Sequence, residues 1–276
     1  MLIVKPIFHK LLIVMIMITF VPFCGGAPNG SDAKALESLW QQHLEKTSNH
    51  QRMVDICSRF SNRFSGSEFI PIVKTLAGWH YLKQQKWQKA RNLFSNLLGS
   101  DDGDTLTKAA QRMSRRWLTR IKHQELRSAL NRYYGEHIRF PEKLHQLKGI
   151  PEFNENLLSD AFNKPWEYKP KKIEFLGDSK PQDYILRSQI LENSSSLDKF
   201  LNVPYGEGIK LKAPELVDNS ANGRKVFTFH ISQNVSPVLT PGNSYKGTTY
   251  VYSNYNLIIL SNGDFWDIIK INHNDE

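Results

Sequence analysis

Residues 105–137 read TLTKAAQRMSRRWLTRIKHQELRSALNRYYGEH, and their two apolar stripes decide how the chain is divided. The segment has no proline and reads as one long helix or two abutting ones. On a helical wheel Leu106, Ala110, Met113, Trp117 and Ile121 share one side, while Lys108, Arg112, Arg115, Arg116, Arg120 and Lys122 share the other. After Lys122 the pattern turns over: Leu126, Ala129, Leu130, Tyr133 and Tyr134 fall on the side that was basic. A straight helix cannot bury both stripes in one core. The first half is therefore expected to pack on a helical domain and the second on a different domain, with a boundary near Lys122 to Gln124; a kink or break there is the alternative.

Toward the amino end, residues 33–98 are helical in pattern. Leu36, Leu39, Trp40 and Leu44 recur at steps of three and four, as do Met53, Ile56, Cys57 and Phe60. Gly78 and Tyr81 are followed, after a break at Lys83 to Lys86, by Ala90, Phe94 and Leu97. This alternation of small and large residues lets two antiparallel helices approach closely. In the spacing of Gly78, Tyr81, Ala90 and Phe94 the stretch resembles one tetratricopeptide hairpin, without the usual turn glycine or the proline after the second helix. A single hairpin cannot bury its apolar face, so the helices from Ala33 to Phe60 are its expected partners. Trp79 and Trp87 read as core, and Cys57 as a small buried hydrophobe.

Toward the carboxyl end, Pro141 is placed to open a short helix that turns Leu144 and Leu147 inward. Asp160 to Tyr168 (DAFNKPWEY) reads as a turn feeding a strand: Asn163 tolerates a left-handed backbone, Pro165 sets the entry, and Trp166 and Tyr168 share a face. Further strands are expected at Lys172 to Phe175 and Asp183 to Arg187. The pattern is an amphipathic helix followed by a small antiparallel sheet.

The order Ala129-Leu130 with Tyr133, then Phe140-Pro141, Leu144, Asp160 to Tyr168 and Asp183 to Ser188 is similar to the soluble domain of the major pseudopilin of type II secretion. That family runs a helix into a sheet through a YPxxxxxL segment and a DPWGNPYxY turn. The resemblance covers roughly residues 122–201 and implies structural roles for Pro141, Asp160, Asn163, Pro165, Trp166 and Tyr168. The family's amino-terminal methylation segment is absent from the sequence, and its acid-rich calcium loop is replaced by QILENSSSLD at 189–198. Calcium takes six to eight oxygen ligands, whereas only Glu192 and Asp198 offer charge here; they are the weak metal candidates, and no cofactor is expected.

Beyond Tyr205 helical periodicity fades. Arg224 to Ile231 alternates as a strand, Pro241 to Ser244 forms a turn, and Gly247 to Ser253 is rich in threonine and tyrosine. Asn256 to Leu260 and Phe265 to Ile271 flank an Asn262-Gly263 turn, a hairpin signal. These strands either extend the pilin-like sheet or form a separate one. The expected fold is α+β in four parts: a leader at 1–27, a helical tetratricopeptide-like domain at 28–121, a pseudopilin-like domain at 122–204 and a β-rich segment at 205–276.

The leader rests on an apolar run from Leu11 to Phe23, preceded by Lys5, His9 and Lys10 and followed by Gly25, Gly26 and Ala27. Positive, then apolar, then small is the order of a secretory signal peptide, and the run is short of the roughly 20 residues that span a bilayer. Cleavage near Gly26 or Ala27 is the first reading; lipidation at Cys24 and an uncleaved anchor are the others. If Cys24 departs, Cys57 is alone and the exported chain has no internal disulfide.

The 276 residues carry a formal net charge of +9, from 36 basic and 27 acidic side chains. Two of these charges lie in the leader. Residues 105–145 hold ten Lys or Arg against three acids, so the remaining +7 belongs to one segment. A stripe of Lys108, Arg112, Arg115, Arg116 and Arg120 can meet phosphate, lipid headgroups or an acidic protein surface, or be a solvated face. No nucleic-acid fold motif accompanies it, and that partner is set aside. No metal pair, cysteine cluster or phosphate loop stands out, and Asp264 and Asp267 flanking Trp266 read as a solvated strand end rather than a hydrolytic pair. The expectation is a non-enzymatic envelope protein with protein partners. The alternatives are an anionic membrane surface as partner, or an enzyme of unrecognised class.

Overall fold

Local signals account for where the helices begin and turn. The structure, a computed structural model, describes residues 30–45, 49–99, 105–172, 181–191, 197, 201–202, 205, 248–252 and 257–270. Helix α1 is Ser31–Glu45, α2 His50–Arg63, α3 Ile70–Lys83, α4 Trp87–Leu97 and α5 Thr105–His137. The Asn49 side chain caps α2 by accepting a hydrogen bond from the Arg52 N–H at 3.0 Å, satisfying a donor that the first turn leaves orphaned. Pro71 sits in the first turn of α3, where no helical bond needs its missing N–H. Between α3 and α4 the chain reverses through Gln85 at φ 59°. The two helices close tightly at Gly78: a Cβ there would lie 2.6 Å from the ring of Phe94.

Helix α5 runs unbroken for 33 residues, about 50 Å at 1.5 Å per residue. Its two stripes enter different clusters of buried side chains. Leu106, Ala110, Met113, Trp117 and Ile121 join the core of α1 to α4, together with Leu36, Trp40, Phe60, Ile72, Trp79 and Phe94. Leu126, Ala129, Leu130 and Tyr133 join a second cluster with Leu147, Ile150, Leu157, Trp166 and Leu186.

The second cluster is roofed by two strands. Strand β1 (Glu167–Lys172) pairs antiparallel with β2 (Pro181–Arg187), Tyr168 opposite Leu186. Of the strand expected at Lys172 to Phe175, Lys172 belongs to β1, after a shift of register between Lys171 and Lys172, and residues 173–175 lie outside the described part. Pro141 precedes a 3-10 turn at Leu144–Leu147 that buries Leu147, and its carbonyl accepts a bond from the Tyr168 hydroxyl at 2.6 Å.

The carboxyl-terminal strands β3 (Thr248–Tyr252), β4 (Leu257–Ser261) and β5 (Trp266–Lys270) form a sheet of their own, in the order β3-β4-β5. They do not extend β1 and β2. Leu257, Ile259, Phe265, Trp266 and Ile268 pack into the helical cluster instead, as do Leu197, Leu201 and Tyr205. Residues of the stretch read as 205–276 and the helices of 28–121 therefore share one core, with the second cluster inserted between them in sequence. Trp266 anchors the contact by donating its indole N–H to the Thr75 hydroxyl at 2.7 Å. The architecture is mixed helix and sheet, α+β.

The leader 1–27, the strand expected at 224–231 and the turn at 241–244 lie outside the described residues, as do Glu192 and Asp198. Among the described residues no helix is long and apolar enough to cross a membrane.

Candidate functional site

An open groove of about 760 Å³ lies between helices α1 and α2. Ala35, Ser38, Leu39 and Gln42 of α1 form one wall; Ile56, Arg59, Phe60 and Arg63 of α2 form the other, with Phe64 at the end. The 3.6-residue period places them: Arg59 and Arg63 are one turn apart, beside Ile56 and Phe60 on the flank of the buried face. The Phe60 and Phe64 rings are tilted against each other at 5.0 Å, and the Arg63 guanidinium lies over Phe64 at 5.1 Å. Arg59 and Arg63 are exposed, and among the described residues no carboxylate forms an ion pair with either. The groove thus combines an apolar floor with an uncompensated positive wall.

The basic stripe expected on α5 is divided. Lys108 and Arg112 are exposed and Arg115 is half-buried. Arg116 and Arg120 instead converge on Asp264, at 2.7 Å each, in the loop between β4 and β5. Arg120 and Asp264 are each 1% exposed, which corrects two expectations. Arg120 is no surface contact residue, and Asp264 is no solvated strand end, because the last hairpin docks where the stripe passes. Burial alone would raise the Asp264 carboxyl, but Arg120 and Arg116 together hold it below the usual range. The Trp117 indole N–H adds a bond to the Asp264 carbonyl at 3.0 Å. With both carboxylate oxygens on guanidinium groups, Asp264 is not poised to pair with Asp267 for hydrolysis.

The other residues singled out from sequence have structural surroundings. Gly78 and Phe94 touch, Ala90 is buried, and half-buried Tyr81 lies under the Lys89 ammonium at 5.7 Å. Asp160 is fully buried. Its Oδ1 accepts from the N–H groups of Phe162 and Lys164 at 2.8 and 2.9 Å, and its Oδ2 from the Ser188 hydroxyl at 2.9 Å. Asn163 adopts φ 59°, Pro165 bridges to Ser159, and Trp166 is buried with its N–H on the Leu157 carbonyl at 2.8 Å. A half-enclosed pocket of about 380 Å³ lies between α4, α5 and this turn. On its wall the Lys122 ammonium donates to the carbonyls of Asn156 and Ser159, and Arg91 pairs with Glu125.

Sequence reasoning missed a cluster of three histidines, one from each of α1, α2 and α3. His43 Nδ1 lies 3.1 Å from His80 Nε2, and His50 Nδ1 lies 3.0 Å from His80 Nδ1. Desolvation lowers all three below the usual imidazole value, His43 to about 3 and His80 to about 2. The signal was present, since His43 and His80 occupy apolar-stripe positions after Leu36 and Trp40 and after Val73 and Leu76. The bonded nitrogens of His80 point to opposite neighbours, so in this arrangement the rings form a chain rather than a chelate. Among the described residues no group of His, Cys, Asp and Glu is arranged to hold a metal.

Comparison of the chain with protein-family models, curated proteins and solved structures finds no match.

Proposed function

We propose that this chain is an exported, non-enzymatic envelope protein that acts as a protein-interaction scaffold, with the α1/α2 groove as its docking surface. The observation that carries the reading is the groove itself, where apolar Ile56, Phe60 and Phe64 stand beside Arg59 and Arg63, cations without a carboxylate partner among the described residues. An apolar strip flanked by cations suits an amphipathic segment with acidic side chains. The α3–α4 hairpin, with its tetratricopeptide-like spacing, supports a protein-binding role, and the leader-like run at 11–23 supports export. The pseudopilin-like order from Ala129 to Ser188 makes a secretion-related assembly the first setting to test.

The test is site-specific photocross-linking in the intact envelope, with a benzophenone attached at Ser38→Cys. A discrete adduct that disappears in the Arg59→Glu, Arg63→Glu double variant supports the groove. Adducts unchanged by that variant, or spread over abundant envelope proteins, count against it.

A second reading, attachment to anionic lipid, is favoured by the exposure of Lys108 and Arg112. It keeps fewer cations than the stripe offered, because Arg116 and Arg120 are engaged by Asp264. Co-sedimentation with phosphatidylglycerol vesicles that is lost at high salt, and lost in Lys108→Gln, Arg112→Gln, would carry it.

A further inference from the structure

Beside the shared apolar core, one polar chain made of imidazoles ties the two walls of the groove to a third helix. His80 on α3 stands between His43 of α1 and His50 of α2. The chain runs from half-buried His50 inward to fully buried His43, whose Nε2 has no partner among the described residues. Around His43 lie Trp40 at 5.1 Å, Trp79 at 5.7 Å and the Tyr205 ring at 4.5 Å between centroids. This aromatic wall supplies no carboxylate. Among the described residues, the ionisable groups that face the cluster are Lys83 from α3 and Tyr205, with Cys57 of α2 and Asp267 of β5 beyond the tyrosine. Lys83 is engaged with the Leu201 carbonyl and adds positive charge, and Asp267 acts on Tyr205 rather than on the histidines.

Hydrogen-bond counting shows what a proton would do. A neutral imidazole has one donor and one acceptor, so three in a row are satisfied only if the donors all point the same way along the chain. With His43 donating to His80 and His80 to His50, the unpartnered His43 Nε2 is a lone pair and the remaining N–H of His50 lies at the outer end. A proton added at His50 Nδ1 meets the His80 N–H head on. The chain must then reverse, which leaves a buried N–H on His43 without an acceptor, or it must break. A second proton sets two cations on adjoining rings beside Lys83.

We propose that the three histidines are a proton-operated latch on the groove: neutral, they bind α1 and α2 to α3, and protonated, they release α1 and widen the groove. The inference gives the regulation of the docking site and rests on that reading for its purpose, though not for its chemistry. His43 and His80 are depressed far below 6.5 while latched; His43 returns toward it when α1 swings out, while His80 keeps His50 and Lys83 beside it, so opening takes up one to two protons. The opening equilibrium therefore grows about ten- to a hundredfold for each pH unit below about 6.

Hydrogen exchange of the full chain, followed by mass spectrometry and corrected for the intrinsic pH dependence, reads the latch directly. Backbone protection in α1 is expected to fall about ten- to a hundredfold per pH unit below about 6, with α4 keeping its protection over the same range. The His43→Gln variant should lower the slope by about tenfold per pH unit, and His50→Gln, at the half-buried end, should leave most of it. Equal loss of protection in α1 and α4, or an α1 slope unaltered in His43→Gln, overturns the latch. No partner is present in this assay. The latch can therefore fail while the groove still cross-links at neutral pH, and the groove can lack a partner while the latch still opens.

Discussion

Asp264 binds Arg116 Nε and an Nη of Arg120 at 2.7 Å each, which ties the loop between β4 and β5 to two successive turns of α5 across 148 residues of sequence. The carboxylate is as buried as Arg120, while the Arg116 side chain is 26% exposed. Burial works against the charge on Arg120, and Asp264 offsets it. Asp264→Asn is expected to cost about 3–5 kcal/mol in urea unfolding, because it leaves a guanidinium buried without its counter-charge. Arg116→Gln should cost about 1 kcal/mol, since water can solvate part of the site. Similar small losses in both variants would show that the pair does not hold the hairpin.

A carboxylate three residues on should behave in the opposite sense. Burial pushes the Asp267 carboxyl up to about 6. A carboxyl raised on folding penalises the fold once ionised, so the cost is present above pH 6 and vanishes below about pH 4, where both states hold the proton. Asp267→Asn is expected to raise stability by about 2 kcal/mol near neutral pH and by almost nothing near pH 4. Denaturant midpoints at the two pH values check this; a gain of equal size at both would locate the effect elsewhere.

Gly78 should tolerate no side chain. An added Cβ would stand 2.6 Å from Phe94 Cε1 and Cζ, so the fully buried Phe94 ring, stacked near Trp117, must shift to admit it. Gly78→Ala gains up to about 1 kcal/mol in helix propensity but forces α3 and α4 apart, for a net loss of about 1–3 kcal/mol. Adding Phe94→Leu should recover part of it. A double-mutant cycle with no coupling between the two sites would contradict the contact.

Asp160 organises the turn before β1 through three hydrogen bonds, two from backbone and one from Ser188. Asp160→Ala should cost about 2–3 kcal/mol, because the backbone N–H groups of Phe162 and Lys164 and the buried Ser188 hydroxyl lose their acceptor, and Ser188→Ala about 1 kcal/mol. Thermal unfolding of the three proteins gives the order; a harmless Asp160→Ala would mean that water replaces the carboxylate.

Much of the secondary structure was legible because it is local. The change of face on α5 follows from helical period alone: Ile121 ends one stripe, Leu126 begins the other, and the two enter different clusters. The Asn262-Gly263 turn was legible for the same reason, with Gly263 at φ 88° and the Asn262 side chain accepting from the Asp264 and Phe265 N–H groups.

Sequence by itself determined that the two apolar stripes of α5 are buried, that α3 and α4 approach closely through Gly78, Ala90 and Phe94, and which turn closes the last hairpin, since each depends on a short-range pattern; it did not place Leu44, which follows the α1 stripe yet is half exposed. Tertiary structure alone decided that the hairpin returns to the helices, that Arg116 and Arg120 leave the basic stripe for Asp264, and that His43, His50 and His80 meet. Periodicity marks a residue as inward-facing without saying what it faces. A buried charge or imidazole acquires its chemistry from the neighbour that packing brings to it.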